Sequence, residues 1–213
     1  MNTETIDWQQ ETLKYDRAHD RLRFVARVLG KLPIHALLDI GCSTAKLKSL
    51  LADDVEYFGC DISDQARSRL GGGHFQRMDL NISSDFLYFA GRGINAIHVG
   101  GVVEYLERPE EMLANARELL SQGDYLVISI INFRSRKFSS PENWHPAWIY
   151  RPTLREFRHC LTNAGWEIER QLPVFRHDER GIRWEAILAK VLGVDSPWTQ
   201  TLARQFLIVA KAR

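Results

Sequence analysis

The chain has 213 residues, of which 45% are apolar and 26% charged, values typical of folded globular proteins that exclude a disordered or fibrous chain. Its 28 Lys and Arg balance 27 Asp and Glu, and the net charge of +1 argues against nucleic-acid and anionic-membrane partners. Three cysteines without CxxC spacing predict neither a disulfide framework nor a zinc site, and they favour a reducing, cytoplasmic compartment.

The N-terminal segment is polar at first and then amphipathic. Residues 1–10 have no apolar core, so we expect no signal peptide. No apolar run in the chain approaches the roughly 20 residues of a membrane span. Four apolar residues recur at a helical period: Leu22, Val25, Leu29 and Leu32. They predict a helix that Pro33 closes.

Between residues 36 and 131, short apolar strands alternate with helical segments. The predicted strands are residues 36–40, 55–60, 74–78, 96–99 and 125–131. Helical spacing predicts a helix after the first strand and another that begins at Pro109. This pattern is typical of a parallel sheet covered on both faces. Because crossovers are right-handed, we expect an α/β, Rossmann-like doubly wound sheet.

The remainder of the chain has a different pattern. Residues 132–151 are polar and aromatic and are predicted to be a loop. Thr153 and Glu156 form a capping-box sequence, which predicts a helix that runs to Asn163. The last predicted elements are a strand, a helix and a strand, at residues 166–172, 182–192 and 206–210. No linker divides the chain, so we predict a single domain over residues 1–213.

The carboxyl ends of the predicted strands carry the candidate ligand residues, because open parallel sheets bind ligands beyond those ends. Gly41 follows the first strand and allows a ligand to approach the backbone closely. Asp61 comes 20 residues later, after the second strand. At that spacing a carboxylate accepts hydrogen bonds from ribose hydroxyls in nucleotide-binding sheets.

The loop after Gly41 departs from the dinucleotide fingerprint. Cys42, Ser43, Thr44 and Ala45 follow, without the further glycines that let a pyrophosphate approach the helix. A nucleoside without phosphates needs less of that cradle. The sequence therefore disfavours a nicotinamide oxidoreductase.

Five short segments occur in this order along the chain: residues 37–42 (LLDIGC), 58–63 (FGCDIS), 78–80 (MDL), 102–109 (VVEYLERP) and 119–124 (LLSQGD). In this order they resemble the motifs of the class I S-adenosylmethionine-dependent methyltransferases. The resemblance implies a seven-stranded sheet, mostly parallel with an antiparallel C-terminal strand. It also implies S-adenosylmethionine as the cofactor.

The same resemblance divides the chain into three parts. Residues 1–33 would form an N-terminal lid helix, with Tyr15 and His19 over the cofactor. Residues 34–131 would form the cofactor-binding core, and residues 132–213 the acceptor-side loops and final strands.

Residues at the second and third strand ends are implied to bind the nucleoside. Asp61 would bind both ribose hydroxyls, and Ile62 would pack against the adenine. Asp79 would accept a hydrogen bond from the adenine amino group, with Leu80 beside it.

Residues at the first and fourth strand ends are implied to bind the methionine part. Gly41 and Cys42 would line it, and Gly100 would lie near the sulfonium. Asp39, Ser43 and Tyr15 complete the implied cofactor-binding set.

The chain departs from the family pattern at several positions. Ser43 and Ala45 replace the two later glycines of the first motif, Tyr105 replaces a usual His, and Asn95 stands where Asp is frequent. The chain length and residues 130–133 also resemble MetW-type proteins, and the departures at Ser43 and Ala45 keep a non-catalytic function open. Such a protein would be a non-catalytic partner with a methyltransferase fold.

The leading hypothesis is methyl transfer to a small or medium-sized acceptor, directed to oxygen or nitrogen. A hydroxyl acceptor needs a base, for which His145 is the first candidate and Glu104 the second. A carboxylate or a neutral amine needs none. We expect a small-molecule acceptor as partner, and a homodimer is left open.

The segment of residues 144–150 (WHPAWIY) follows the fifth strand, at the edge where an acceptor would enter. Its aromatic rings and His145 could form an acceptor pocket. They could equally form a surface flap packed on the sheet edge. The sequence leaves both interpretations open.

Overall fold

The computed structural model describes residues 6–13, 20–175 and 190–213, and its strands form one seven-stranded sheet. The strands are β1 (Ala36–Ile40), β2 (Glu56–Asp61), β3 (Phe75–Arg77), β4 (Ala96–Gly100), β5 (Tyr125–Ile131), β6 (Trp166–Val174) and β7 (Gln205–Ala212). Their order is β3-β2-β1-β4-β5-β7-β6. Strands β1 to β5 pair in parallel, and β7 is antiparallel to β5 and β6. The predicted fold class is confirmed.

Helices cover both faces of the sheet. The described α-helices are α1 (Trp8–Leu13), α2 (Asp20–Leu29), α3 (Arg67–Leu70), α4 (Pro109–Glu118), α5 (Leu154–Asn163) and α6 (Pro197–Leu202). Val25 and Leu29 of α2 belong to one apolar core cluster. Leu113 of α4 and Phe157 of α5 belong to the other.

The segment after β1 differs from the predicted helix. It is a single 3-10 helix, Lys46–Leu50, rather than an α-helix. Ala45, immediately before it, has a left-handed backbone (φ 55°), and Leu51, immediately after it, is extended. Because the chain is non-helical on both sides, only about one and a half turns of 3-10 helix fit.

The alternation of side chains along β1 puts polar and apolar residues on opposite faces. Leu38 and Ile40 pack into one core cluster. Leu37 faces the other cluster, and Asp39 shares its face because strand side chains alternate. Asp39 pairs in register with His98 of β4, so their side chains lie next to each other.

The order in which strands are added to the sheet reverses direction at β1. It passes from β1 to β2 and β3 on one side, then returns so that β4 pairs with the other edge of β1. The loops after β1 and β4 therefore diverge and open a crevice at the carboxyl edge. This edge carries residues 41–45, 61–63, 79–82 and 100–105.

Asn95 lies at the opposite edge of the sheet and has a structural role. Its Oδ1 accepts hydrogen bonds from the backbone N–H groups of His35 (3.0 Å) and Ala36 (3.2 Å). Its Nδ2 donates to the carbonyl of Pro33 (3.0 Å). These bonds hold the start of β1 against β4, where an aspartate would lack the amide donor.

The capping box predicted in the second half of the chain is confirmed. Thr153 and Glu156 form the predicted capping box, with Thr153 N–H donating to Glu156 Oε2 (2.7 Å) and Glu156 N–H to Thr153 Oγ1 (3.2 Å). The predicted helix at 182–192 lies largely outside the described residues. Within the described ranges, no helix combines the length and apolarity needed to cross a membrane.

Candidate functional site

The turn after β1 is built around Gly41. Its φ is +75°, and a Cβ there would lie 2.0 Å from Val102 Cγ2. The N–H groups of Gly41 and Cys42 both donate to the carbonyl of Cys60, at 2.8 and 3.1 Å. Only glycine fits this position, because both the backbone conformation and the space exclude a side chain.

Ser43 and Ala45 keep a glycine-like conformation without being glycines. Their φ values are +52° and +55°, in the left-handed region. A left-handed conformation costs a non-glycine residue about 1–2 kcal/mol. The loop thus adopts the positive φ that glycines would favour at these positions, and surrounding contacts such as the Ser43 Oγ–H bond to the carbonyl of Thr12 (3.1 Å) stabilise it.

Asp61 joins the loops after β1 and β2. Its Oδ2 accepts from Ser43 N–H (2.8 Å), and its Oδ1 accepts from the N–H and the hydroxyl of Ser63 (both 2.9 Å). Burial raises the pKa of this carboxyl. A carboxylate offers about four acceptor positions, so these three donors leave room for one more. A ribose diol would therefore add one hydrogen bond and displace a protein donor to make a second.

A cleft of about 500 Å³ opens at Ile62, the residue after Asp61. Residues from α1 with its preceding segment and from the ends of β2 and β3 line it: Ile6, Asp7, Trp8, Gln9, Ile62, Arg77, Met78, Asp79 and Ile82. The structure thus brings together Ile62 and Asp79, two of the residues predicted to bind adenine. Leu80 instead packs against the core cluster beneath.

Two residues of the first motif point into the protein. Both carboxylate oxygens of Asp39 are engaged, one by the Tyr57 hydroxyl and one by His98 Nδ1 (2.7 Å). Cys42 is 5% exposed and packs against Gly59, where a Cβ would lie 2.8 Å from its Sγ. Burial raises the pKa of the Cys42 thiol well above its ordinary value. At Asp39 and Cys42, only the backbone remains to line a ligand.

The end of β4 brings a cation to the crevice. Gly101 has a φ of +71°, and a Cβ on it would lie 3.4 Å from the Arg21 guanidinium of α2. Sequence reasoning missed Arg21, because Arg23 and Arg27 share its helix and no pattern separates the three. The neighbouring Gly100 lies directly above the His98 ring.

Glu104 is a buried carboxyl that links three segments. It is 1% exposed, and its Oε1 accepts from the N–H of Ile131 at the end of β5 (2.6 Å). Its carbonyl accepts from the N–H groups of Ile149 and Tyr150, at 2.9 and 3.1 Å. Burial raises the pKa of the Glu104 carboxyl. Among the described residues, its Oε2 has no hydrogen-bond partner.

His145 has no nitrogen lone pair available in this arrangement. Its Nδ1 accepts from the backbone N–H of Ala147 (3.2 Å), which can only donate. The ring proton is therefore on Nε2, which lies 3.7 Å from Glu11 Oε1 of α1. To act as a general base, His145 would first have to leave one of these contacts.

A chain of aromatic contacts joins α1 to the acceptor-side loop. Trp8 packs edge-on against Tyr105 (ring centroids 5.3 Å apart), and Tyr105 packs edge-on against His145 (5.5 Å). Trp148 continues the chain to Phe133 (5.7 Å). Helix α1 thus lies over the carboxyl edge, whereas Tyr15 and His19, assigned to the lid, lie outside the described residues. The described part of the chain contains no cluster of metal-ligating side chains.

Residues 38–125 match the family model described as a methyltransferase domain. Among curated proteins, no sequence matches this chain.

Solved structures share the fold over almost the whole chain. A chain from the complex of the Haloferax volcanii Trm112 methyltransferase activator with a methyltransferase is 18% identical, with a TM-score of 0.66 over 96% of this chain and 94% of that one. A SAM-dependent methyltransferase from Archaeoglobus fulgidus is 18% identical, with a TM-score of 0.61 over 97% and 100%. Magnesium protoporphyrin IX methyltransferase from Synechocystis, solved with bound SAH, is 16% identical, with a TM-score of 0.55 over 96% and 83%.

Residues 38–125 thus match a methyltransferase domain, and the whole fold is that of solved S-adenosylmethionine-dependent methyltransferases. These findings support the predicted family and cofactor. The similarity to MetW-type proteins stays a prediction.

The contact between Gly41 and Val102 can be tested by a double-mutant cycle. Gly41→Ala should lower the free energy of unfolding by about 2–5 kcal/mol, from backbone strain and from the clash with Val102. In a Val102→Ala background the nearest clashing methyl is absent, so the same change should cost only the strain, about 1–2 kcal/mol. Urea denaturation measures all four proteins. Equal costs in both backgrounds would contradict the steric argument.

The buried carboxyl of Glu104 predicts a pH-dependent effect. Because its pKa is raised on folding, the stability from this group is fully present below the unfolded pKa and is lost as pH rises through the folded pKa. Glu104→Gln keeps an acceptor for Ile131 N–H and removes this loss. Relative to wild type, the variant should therefore gain unfolding free energy between pH 4 and pH 8 in urea denaturation.

The matched control is Glu107→Gln, three residues along the chain at an exposed position. The difference in unfolding free energy between Glu107→Gln and the wild type should stay constant over the same pH range. A constant difference for Glu104→Gln as well would show that the buried carboxyl does not titrate differently on folding.

Proposed function

We propose that this protein transfers the methyl group of S-adenosylmethionine to a small or medium-sized acceptor, at oxygen or nitrogen. The observation that carries the proposal is Asp61, a buried carboxylate at the second strand end. It binds the turn of the first motif through Ser43 N–H and lies beside the cleft lined by Ile62 and Asp79. This arrangement suits a nucleoside, with the carboxylate for the ribose and the cleft for the base.

The methionine part of the cofactor would lie over Gly41 and Gly100. Both glycines are partly exposed, although Val102 at Gly41 and His98 at Gly100 fill the space that a side chain would take. Arg21 supports this placement, because its guanidinium beside Gly101 suits a carboxylate ligand. We therefore add Arg21 to the proposed cofactor-binding residues.

Bound S-adenosylmethionine supplies an activated sulfonium methyl group, so the protein's own contribution is alignment and exclusion of water. Alignment requires the acceptor atom to be held at about 3 Å, in line with the bond that breaks. Helix α1 would exclude water, because Trp8 and Glu11 contact Tyr105 and His145 of the acceptor side.

The state of the two candidate bases favours acceptors that need none. The lone pair of His145 Nδ1 accepts from Ala147 N–H and its Nε2 carries the proton, while Glu104 is buried with Oε1 bound to Ile131 N–H. A neutral amine or a carboxylate can attack without losing a proton first. We propose His145 chiefly as the residue that holds α1 closed through Glu11, with base catalysis by His145 or Glu104 as the second proposal.

The alternative function is a non-catalytic partner protein of MetW type. Its main support was the loss of two glycines at Ser43 and Ala45. Because both residues keep the left-handed conformation, the loop shape is retained and this support weakens. A homodimer and a cytoplasmic location stay predictions.

Cofactor binding tests the proposal directly. Isothermal titration calorimetry should show binding of both S-adenosylmethionine and S-adenosylhomocysteine. Asp61→Asn should weaken the binding of both ligands by about 10- to 100-fold, because a hydrogen bond to a charged group is lost. Incubation with S-adenosylmethionine and an acceptor library should release S-adenosylhomocysteine.

The control for this experiment is Asp85→Asn, at an exposed position after β3. It should bind as wild type does, and melting temperatures show whether each variant is folded. No binding of either ligand by the wild type would contradict the proposal. Binding without turnover of any acceptor would favour the partner-protein alternative.

The role of His145 is tested by comparing it with its partner on α1. His145→Ala and Glu11→Gln should both weaken cofactor affinity by about two- to tenfold, because a partly buried polar contact of modest strength between His145 and Glu11 is lost. Single-turnover methyl-transfer rates at saturating ligand should stay close to wild type for both. A rate loss of 100-fold or more for His145→Ala alone would instead assign general-base catalysis to His145.

A further inference from the structure

His98 is a polar residue in a strand that is otherwise apolar. It is 3% exposed, and its neighbours Ile97 and Val99 are fully buried. Its ring lies beside Asp39, its partner in the β1–β4 register, and Asp39 also accepts from the Tyr57 hydroxyl. The family resemblance places Asp39 among the cofactor-binding residues but gives no role to Tyr57 or His98.

The protonation of the His98 ring follows from its partner. A carboxylate can only accept, so His98 Nδ1, 2.7 Å from Asp39 Oδ1, carries the proton. In the neutral ring Nε2 therefore presents a lone pair. Among the described residues this buried nitrogen has no hydrogen-bond partner. A buried acceptor without a donor is costly, so an unmade bond at this position points to a ligand.

The ring lies immediately beneath the end of β4. A Cβ on Gly100 would lie 2.6 Å from His98 Cε1 and 3.0 Å from His98 Nε2. Glycine at position 100 thus makes room for the imidazole, which leans along the strand towards the crevice. The next residue, Gly101, lies beside the Arg21 guanidinium.

The charges around this nitrogen suit a cation. Asp39 is buried, and its carboxylate accepts from the Tyr57 hydroxyl and from His98 Nδ1. A neutral imidazole that donates to a carboxylate is a stronger acceptor at its other nitrogen. The Arg21 guanidinium lies beside Gly101, the residue after Gly100, and would favour a carboxylate. An acceptor for an ammonium group and a cation for a carboxylate, beside two adjacent residues, suit an amino acid zwitterion.

We propose that His98 Nε2 accepts a hydrogen bond from the α-ammonium group of the cofactor's methionine part, with Asp39 and Tyr57 holding the ring in place. This inference rests on the proposed function and names a cofactor contact at its amino acid end. Arg21 would bind the carboxylate group of the same methionine part.

The test compares S-adenosylhomocysteine with its analogue that lacks only the α-amino group. Calorimetry on the wild type should show the analogue binding about 10- to 100-fold more weakly, because it cannot donate to Nε2. In His98→Leu this ratio should shrink by about tenfold or more, through weaker binding of S-adenosylhomocysteine alone. His98→Gln, whose side-chain oxygen can accept, should restore part of the ratio.

Two results would overturn the proposal. If His98→Leu weakens both ligands equally, His98 only supports the scaffold. If His98→Leu binds both ligands as tightly as the wild type does, Nε2 binds a buried water or nothing. A wild type that binds neither ligand refutes the proposed function itself, which distinguishes that failure from failure of this inference.

A second measurement uses the wild type and does not depend on the folding of a variant. The ¹⁵N resonance of His98 Nε2 should shift on addition of S-adenosylhomocysteine and should shift much less on addition of the deaminated analogue. Equal shifts with both ligands would contradict a bond to the ammonium group.

Discussion

The parallel pairing of β1 between β2 and β4 is the constraint on which the rest of the structure depends. It places the turn after β1, the carboxylate that ends β2 and the glycines that end β4 at one edge. The hydrogen bond from Ser43 N–H to Asp61 then joins the first two loops. It requires the left-handed backbone at Ser43, and the Ser43 hydroxyl in turn holds α1. One register therefore determines the turn, the carboxylate contact and the position of the helix above them.

Buried negative charge is concentrated at this edge. Asp39, Asp61 and Glu104 are all nearly inaccessible, and burial raises the pKa of Asp61 and Glu104. Buried carboxylates are costly unless a donor or a cation compensates them. S-adenosylmethionine carries a sulfonium and an ammonium group, so its binding would lower this cost. The electrostatics of the site and the charge of the cofactor are thus complementary.

The sequence was most informative where local rules act. The apolar strand before Gly41, the spacing to Asp61 and the capping box at Thr153 each rest on neighbouring residues, and each could be predicted. It was less informative after β1, where helical spacing of leucines predicted a helix and the left-handed Ala45 allowed only a short 3-10 turn. His98 gave a signal in retrospect, because it is the polar residue in an apolar strand that aligns with Asp39. Arg21 gave none.

By itself, the sequence determined the fold class and indicated the methyltransferase family and its cofactor, because strand periodicity and the order of motifs can be read along the chain. Only the tertiary structure decided what each side chain does there. It directed Asp39 and Cys42 into the interior, bound Nδ1 of His145 to Ala147 N–H, and placed Nε2 of His98 beneath Gly100. These outcomes depend on contacts between residues far apart in the chain. Such contacts arise from strand register and packing, which no spacing along the sequence encodes.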